Sequence, residues 1–346
     1  MRHVVIRRPG SYEQLRIEEA PDPVPLGQEV RVSTRGIGVN FADCVVRMGL
    51  YQSARELVGW PITPGFEFSG VVSAVGPNVT SFSPGDRVVG VSRFGAYSSE
   101  VVTPEALLRP LPSGFDFAQA AGFPVAYLTG WYAVRELVRL RKGQRVLIHS
   151  AAGGVGSALV QLCKQSGAFV VGVVGAPHKV AVAKDLGADE VIDKSREDLW
   201  AAAERYSPKG YHVVLDGNGA ETLKQSYSHL APTGRLVIYG YHSMLVRGKA
   251  RANWLKLAWH WLRTPRFDPF TMTNENRGVL AFNLSYLFDE MDLAEVALAD
   301  LFGSVERGEL RALPTQTLPF EEVAEAHRRL HSGESVGKIV LTLPGD

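Results

Sequence analysis

Three glycines crowded into one short turn carry the first chemical signal in this chain. Gly153, Gly154 and Gly156 lie in "HSAAGGVGS", directly after the apolar run Val146-Leu147-Ile148 and before "ALVQLCKQSGA", which patterns as a helix. Without β-carbons the backbone can approach an anion closely, and the helix start offers free N–H groups at the positive end of its dipole. Such a turn suits the pyrophosphate of a dinucleotide. The pattern reads AxxGGxG rather than the full GxGxxG fingerprint, so its weight comes from the strands and helices around it.

The next strand chooses between dinucleotides. An NAD-binding unit carries Asp or Glu about 20 residues past the glycines, where it hydrogen-bonds the ribose hydroxyls. Here "FVVGVVG" ends at Gly175 and runs into Ala176-Pro177-His178-Lys179 without a carboxylate. A carboxylate repels a 2′-phosphate and a lysine attracts it. Lys179, joined by Lys194 after the strand "EVID", therefore points to NADP(H) as the cofactor.

These residues need a scaffold, and the middle third supplies one. "QRVLIHS", "FVVGVVG", "EVID", "YHVVLDGNG" and "GRLVIYGY" are strand-like runs separated by helical or turn segments. That rhythm predicts an α/β fold with a parallel, doubly wound sheet. Residues 1 to about 110 read differently, as short strands closed by glycine turns: "EVRVSTRGIGVN", "SGVVSAVGPNV" and "GDRVVGV". Spacing of this kind predicts a barrel-like antiparallel domain. The tail "FEEVAEAHRRLHSGESVGKIVLTLP" reads as a helix, a glycine turn and a strand that returns to the first domain.

Composition narrows the function classes. A length of 346 residues suggests about two domains, and a formal charge of +1 argues against nucleic acid as the main partner. The two cysteines, Cys44 and Cys163, form no CxxC or Cys/His cluster, so neither a zinc knuckle nor a disulfide scaffold is readable. "MRHVVIRRPG" lacks the pattern of a signal peptide, and no apolar run is long enough to span a membrane. The expected location is cytoplasmic.

The order of "GVNFADCVVRMGLY", "TPGFEFSGVVSAVG", "GDRVVG", "AAGGVG" and "GKIVL" resembles the medium-chain dehydrogenase/reductase superfamily over essentially the whole chain. Zinc-dependent members of that superfamily place cysteine where Asn40 stands, histidine where Phe66 stands and a third ligand near Pro124. They also carry a four-cysteine lobe after the turn corresponding to "GDRVVG", where "VSRFGAYSSEVV" has no cysteine. The resemblance is thus to the zinc-free, quinone-oxidoreductase-like group, and within it to the synaptic vesicle membrane protein branch. It implies a Rossmann NADP(H)-binding domain over 124–285, and a β-rich GroES-like catalytic domain formed by 1–123 and the returning 286–346.

It further implies which residues line the dinucleotide. These are Tyr51, the turn Gly153, Gly154, Val155 and Gly156, then Gly175, Lys179, Lys194 and Asn218. The loop Tyr239, Gly240, Tyr241 and His242 and the segment Phe282, Asn283 and Leu284 complete the set. Pro177, in place of a hydroxyl residue, and Lys194, in place of tyrosine or histidine, depart from the group's pattern.

The implied activity is hydride transfer from NADPH to a quinone or an activated enone. Conjugated carbonyls stabilise the added charge without a metal, leaving the protein to orient, desolvate and hydrogen-bond. Asn40 is a candidate donor to the developing oxyanion, or else a brace for the backbone. Tyr51 is a candidate proton donor or ring-orienting group, and Asp43 a candidate loop-structuring residue through an Asx turn. The rival reading is a membrane-associated scaffold of reductase fold, suggested by the insert 243–272 with Trp254, Trp259 and Trp261 among Arg247, Lys249, Arg251, Lys256, Arg263 and Arg266. Helical spacing puts Trp254, Leu257, Ala258 and Trp261 on one face, expected to be shielded as a lid or subunit contact. The β-prone run "GVLAFNLSYL" (278–287) suggests an edge that pairs with a second copy, hence a homodimer.

Overall fold

Eleven consecutive residues, Glu29–Val39, form the longest strand and show why the N-terminal part folds as it does. Val30, Val32 and Thr34 alternate inward while Arg31 and Ser33 face outward, the period-two pattern of a half-buried strand. The computed structural model describes residues 1–245 and 253–344. The chain divides into two units, Met1–Leu128 with Ser285–Asp346, and Thr129–Val246 with Asn253–Leu284.

In the first unit Glu29–Val39 pairs antiparallel with Glu67–Val75, with Glu100–Pro104 and with Lys338–Thr342. The sheet continues through Arg87–Val91 to Leu108–Pro110, and at its other end Thr315–Pro319 lies parallel to Lys338–Thr342. The tail contributes the helix Val323–Ser332, Gly333 in the left-handed region, then the strand that lies against Glu29–Val39. The parallel pair was not foreseen. It follows from that helical crossover, since parallel strands cannot be joined by a tight turn.

The second unit is a six-stranded parallel sheet. Its spatial order is Glu190–Asp193, Phe169–Val174, Arg145–Ile148, Tyr211–Asp216, Leu230–Ile238 and Gly278–Ala281. Val146, Leu147, Ile148, Val170 and Val171 are fully buried, so the central strands read as continuous apolar runs rather than alternating ones. Each such side chain contributes roughly 1.5–3 kcal/mol on burial. The chain leaves Arg145–Ile148 in one direction and later resumes beside it in the other, placing the switch point between Arg145–Ile148 and Tyr211–Asp216. Only the first four residues of "GVLAFNLSYL" are strand; Leu284–Asp289 turns into a short 3-10 helix.

The insert is seen within one chain. Trp254–Arg263 is a helix capped by the Asn253 side chain, but Trp254, Trp259 and Trp261 are 71%, 58% and 64% exposed. Its inward side is polar: Lys256 Nζ donates to Leu245 O at 3.1 Å, and His260 is buried with Nε2 3.9 Å from Glu221 Oε1. Those anchors set the helix rotation, so the face of Trp254 and Trp261 is not shielded within this chain. Arg247, Lys249 and Arg251 lie outside the described residues. Among the described residues no helix is long and apolar enough to cross a membrane.

Candidate functional site

Every cofactor residue inferred in the second unit lies just past the carboxyl end of one of its six strands. The glycine turn follows Ile148, Gly175 follows Val174 and Lys194 follows Asp193. Asn218 lies two residues beyond Asp216, the Tyr239–His242 loop begins after Ile238, and Phe282 follows Ala281. Parallel strands bring those ends to one rim of the sheet, which is where open α/β sheets bind ligands.

Local chemistry shapes that rim. The helix Gly154–Gln165 starts at Gly153 without a side-chain cap, leaving its first N–H groups for a ligand. A β-carbon on Gly156 would collide with the Ser150 carbonyl oxygen, so this position tolerates nothing larger. Val155 stands in the first turn of the same helix. Across the switch point the buried Asp216 folds its loop. Oδ1 accepts from the Asn218 and Gly219 N–H groups at 2.8 and 3.2 Å, and Oδ2 accepts from Thr222 and Ser226 hydroxyls at 2.7 and 2.8 Å. Asn218 Oδ1 in turn accepts from Ser150 Oγ at 3.2 Å, joining the two loops. A β-carbon on Gly217 would meet the Tyr239 ring at 2.7 Å, His242 Nδ1 lies 2.9 Å from Gly217 O, and Tyr241 is exposed. Phe282 packs on Tyr132 with ring centroids 4.9 Å apart, and Asn283 and Leu284 follow it.

At the other side of the turn, the strand Phe169–Val174 ends without an acid. Lys194 N–H donates to Val174 O at 3.1 Å, and Lys194 Cε lies 3.7 Å from the point where a Gly175 β-carbon would stand. Lys179 is the second residue of the helix His178–Asp185.

The first unit holds a second polar centre. Lys338 Nζ, 3% exposed as a residue, donates to Glu67 Oε1 at 2.6 Å, Asn40 Oδ1 at 2.7 Å and Val39 O at 3.2 Å. Glu67 Oε1 also accepts from Asn40 Nδ2 at 2.9 Å, and Oε2 accepts from Val125 N–H at 2.7 Å. Gly38 leaves space for that carboxylate, which a β-carbon there would strike. Asn40 thus caps the helix Phe41–Arg47 with its side-chain carbonyl on Lys338 and one amide hydrogen on Glu67. Its remaining amide contact, to Gly38 O at 3.5 Å, is weak.

Asp43 closes the loop and starts a buried chain. It accepts from the Asn40 N–H at 2.8 Å, the Gly65 N–H at 3.0 Å and the Tyr97 hydroxyl at 3.1 Å. Burial pushes its carboxyl up to about 7, against those bonds and the Lys338 charge. Tyr97 Oη is also 3.2 Å from His327 Nε2, and His327 Nδ1 is 3.5 Å from Cys44 Sγ. Burial holds His327 well below its ordinary value and pushes the Cys44 thiol up to about 12. Tyr51 stands apart from this chain, with its ring 5.9 Å from Phe66 and 6.5 Å from Phe94.

Lys338 and Tyr97 escaped the sequence reading, as did the roles of Glu67 and Asp216. Glu67 was visible beside Phe66, and Lys338 in "GKIVL", but nothing in either run says that they meet.

Comparison with known proteins agrees with this architecture. Residues 27–113 match the alcohol dehydrogenase GroES-like domain and residues 186–341 the family described as zinc-binding dehydrogenase. The synaptic vesicle membrane protein VAT-1 homolog of Rattus norvegicus is 33% identical over 347 residues, spanning 100% of this chain and 84% of that protein. The chain belongs to the medium-chain dehydrogenase/reductase superfamily. Among solved superfamily-like structures, Escherichia coli quinone oxidoreductase complexed with NADPH matches with TM-score 0.85 and 28% identity, over 99% of this chain and 100% of that one. The CurK enoyl reductase matches with TM-score 0.85 and 27% identity, over 99% of each chain.

One part of the matched description does not suit this member. Asn40 and Glu67 are already bound to an ammonium group, and Phe66 offers no donor atom. Among the described residues no three His, Cys, Asp or Glu side chains group as metal ligands. The donor set does not fit zinc.

Proposed function

We propose that this member of the superfamily is a zinc-independent, NADPH-dependent oxidoreductase acting on a quinone or an activated enone. The observation that carries the reading is the end of Phe169–Val174, where no carboxylate stands and Lys194 lies against Gly175. The rim fits the group: an uncapped helix start for the pyrophosphate, Gly156 pressed against Ser150, and lysines rather than an acid for the 2′-phosphate. NADP(H) held there would supply the hydride that, with one proton from solvent, takes a quinone to its hydroquinone.

The chain's own residues contribute orientation and polarity. The Asp216 loop fixes Asn218 and the Tyr239–His242 segment against the glycine turn. Asn40 is held in one rotamer by Lys338 and Glu67, and its weakly engaged amide hydrogen serves as donor to a developing oxyanion. Asp43 braces the Asn40 and Gly65 backbone instead of meeting substrate. Quinone reductase and enoyl reductase activities of the similar structures support the two substrate classes.

The test is paired titration with NADPH and NADH, followed by turnover against quinones, enones and aldehydes. A charge-assisted contact to phosphate is worth about 1.5–3 kcal/mol, so NADPH should bind about ten- to a hundredfold more tightly. Lys179→Ala and Lys194→Ala together should erase the difference. Superimposable curves for the two cofactors would sink the reading. The second reading, a membrane-surface protein of reductase fold, is favoured by the exposed Trp254, Trp259 and Trp261. Salt-sensitive binding to anionic vesicles, lost on replacing those tryptophans and without any turnover, would select it.

A further inference from the structure

Two neighbouring residues at the start of the glycine turn reach across the switch point, one at the rim and one behind it. Ser150 Oγ donates to Asn218 Oδ1 at 3.2 Å. His149, just before it, is fully buried; its N–H donates to Leu215 O at 3.1 Å, and its ring Nε2 lies 3.0 Å from Ser226 Oγ. Both side-chain ties end in the segment 216–226, so the pair sets the gap between the ends of Arg145–Ile148 and Tyr211–Asp216. A dinucleotide bound to an open α/β sheet lies across that gap.

Counting hydrogens gives the direction of each bond. Ser226 Oγ has one hydrogen, and Asp216 Oδ2 takes it at 2.8 Å. Asp216 only accepts, from Thr222 and from the Asn218 and Gly219 N–H groups as well. Ser226 therefore accepts from His149, whose ring is the neutral Nε2–H tautomer. Nε2 stands 3.7 Å from Asp216 Oδ2, too far to bond it directly, so the ring acts on the carboxylate through Ser226. Nδ1 is left as a bare acceptor, buried with no hydrogen-bond partner. A ring that only filled space would be better replaced by an apolar side chain, because an unpaired buried nitrogen is unfavourable. The bond at Nε2 is what this histidine contributes. Trp200 packs edge-on to the ring, centroids 5.7 Å apart at 66°, and limits its rotation. Burial holds His149 below its ordinary value against the pull of Asp216, and Lys194 and His229 add to that depression, so the ring stays neutral.

We propose that His149 is a positioning residue for the dinucleotide: through Ser226 it fixes the Asp216 carboxylate and so holds Asn218 against the glycine turn. Without its bond the Ser226 hydroxyl is free to turn, and Asp216 loses one of four donors that set its orientation. The Asn218 and Gly219 N–H groups then lose a fixed acceptor. The inference rests on dinucleotide binding at this rim and adds a buried residue behind it. It applies to NADPH and NADH alike, because the 2′-phosphate is met by the lysines beyond Phe169–Val174 and not by this loop.

Calorimetric titration with NADPH and with NADH tests this without turnover. His149→Leu should weaken both by the same factor, about three- to tenfold, the value of one neutral hydrogen bond. A fault in phosphate recognition would fall on NADPH alone. His149→Gln, which can present an N–H at similar reach, should recover most of the loss; a ring needed only for packing would be replaced no better by glutamine than by leucine. In a Ser226→Ala background, His149→Leu should cost nothing further, since the bond is already gone. In cofactor-free protein the Asn218 and Gly219 amides should exchange hydrogen faster in His149→Leu than in the parent. Parental affinity in His149→Leu, no recovery in His149→Gln, or losses that add in the double variant each overturn the inference and leave the cofactor reading standing. If His149→Leu does not fold, Ser226→Ala decides alone: equal weakening of both dinucleotides supports the inference, and unchanged affinity overturns it. A parent protein that binds neither dinucleotide overturns the inference and the cofactor reading together.

Discussion

Replacing Lys338 by methionine should destabilise the first unit more than any surface change. The substitution keeps the length of the stem and removes an ammonium that touches Glu67 Oε1 at 2.6 Å, Asn40 Oδ1 at 2.7 Å and Val39 O at 3.2 Å. Glu67 is fully buried, so its charge would be left with only the Asn40 amide and the Val125 N–H. Stranding one partner of a buried pair costs about 3–5 kcal/mol, whereas replacing both is often close to neutral. At about 2–4 °C per kcal/mol for a unit of this size, the melting temperature should drop by roughly 10 °C. Glu67→Gln alone should also destabilise, and Lys338→Met with Glu67→Gln should recover most of the loss. Urea unfolding followed by circular dichroism gives the cycle, with the two units fitted as separate transitions where they part. A cost below about 1 kcal/mol for Lys338→Met, the range of an exposed pair, would refute the reasoning.

Gly156→Ala should abolish cofactor binding, because its methyl would strike the Ser150 carbonyl; a binding isotherm matching the parent protein's would contradict the cradle. Asp43 is raised from its ordinary 3.8 to about 7 in the fold, so it stabilises most below pH 4 and that contribution is lost as pH rises through about 7. Asp43→Asn should remove this decline, leaving the opposite limb from His327, which is held neutral and loses stability as pH falls below 6.5. Melting temperatures of both proteins across pH 4 to 8 would show it, and identical profiles would count against the assignment. The edge strand Gly278–Ala281 should pair with a second copy, so light scattering at micromolar concentration should report a dimer; a monomer mass would overturn that expectation.

The rim of strand ends was legible because its signals are local. A glycine turn, an absent acid and a lysine each sit at a fixed distance from a strand end, and strand ends follow from apolar runs such as Val146–Ile148. The polar centre was not legible, because it is made by distance in sequence: Lys338 reaches Glu67 across 271 positions and Asn40 across 298. Periodicity placed Trp254 and Trp261 on one face but says nothing of how the helix is turned on the chain beneath it. Lys256 and His260 settle the helix rotation through partners that lie outside the helix.

The chain Asp43, Tyr97, His327 and Cys44 has a direction as well as a composition. Tyr97 has a single proton to give and two groups beside it that accept one. With Asp43 ionised, the phenol points at the carboxylate, His327 carries its proton on Nε2, and Nδ1 receives the Cys44 S–H. With Asp43 protonated, every bond reverses. The acid donates to the phenol, the phenol to Nε2, and Nδ1–H to sulfur, whose own hydrogen turns to the His327 carbonyl 3.8 Å away. Burial raises the Asp43 carboxyl to about 7, so its protonation decides which of the two polarities the chain takes. One proton taken up in the helix Phe41–Arg47 would then be answered by a change of tautomer in the helix Val323–Ser332, without any atom heavier than hydrogen having to move.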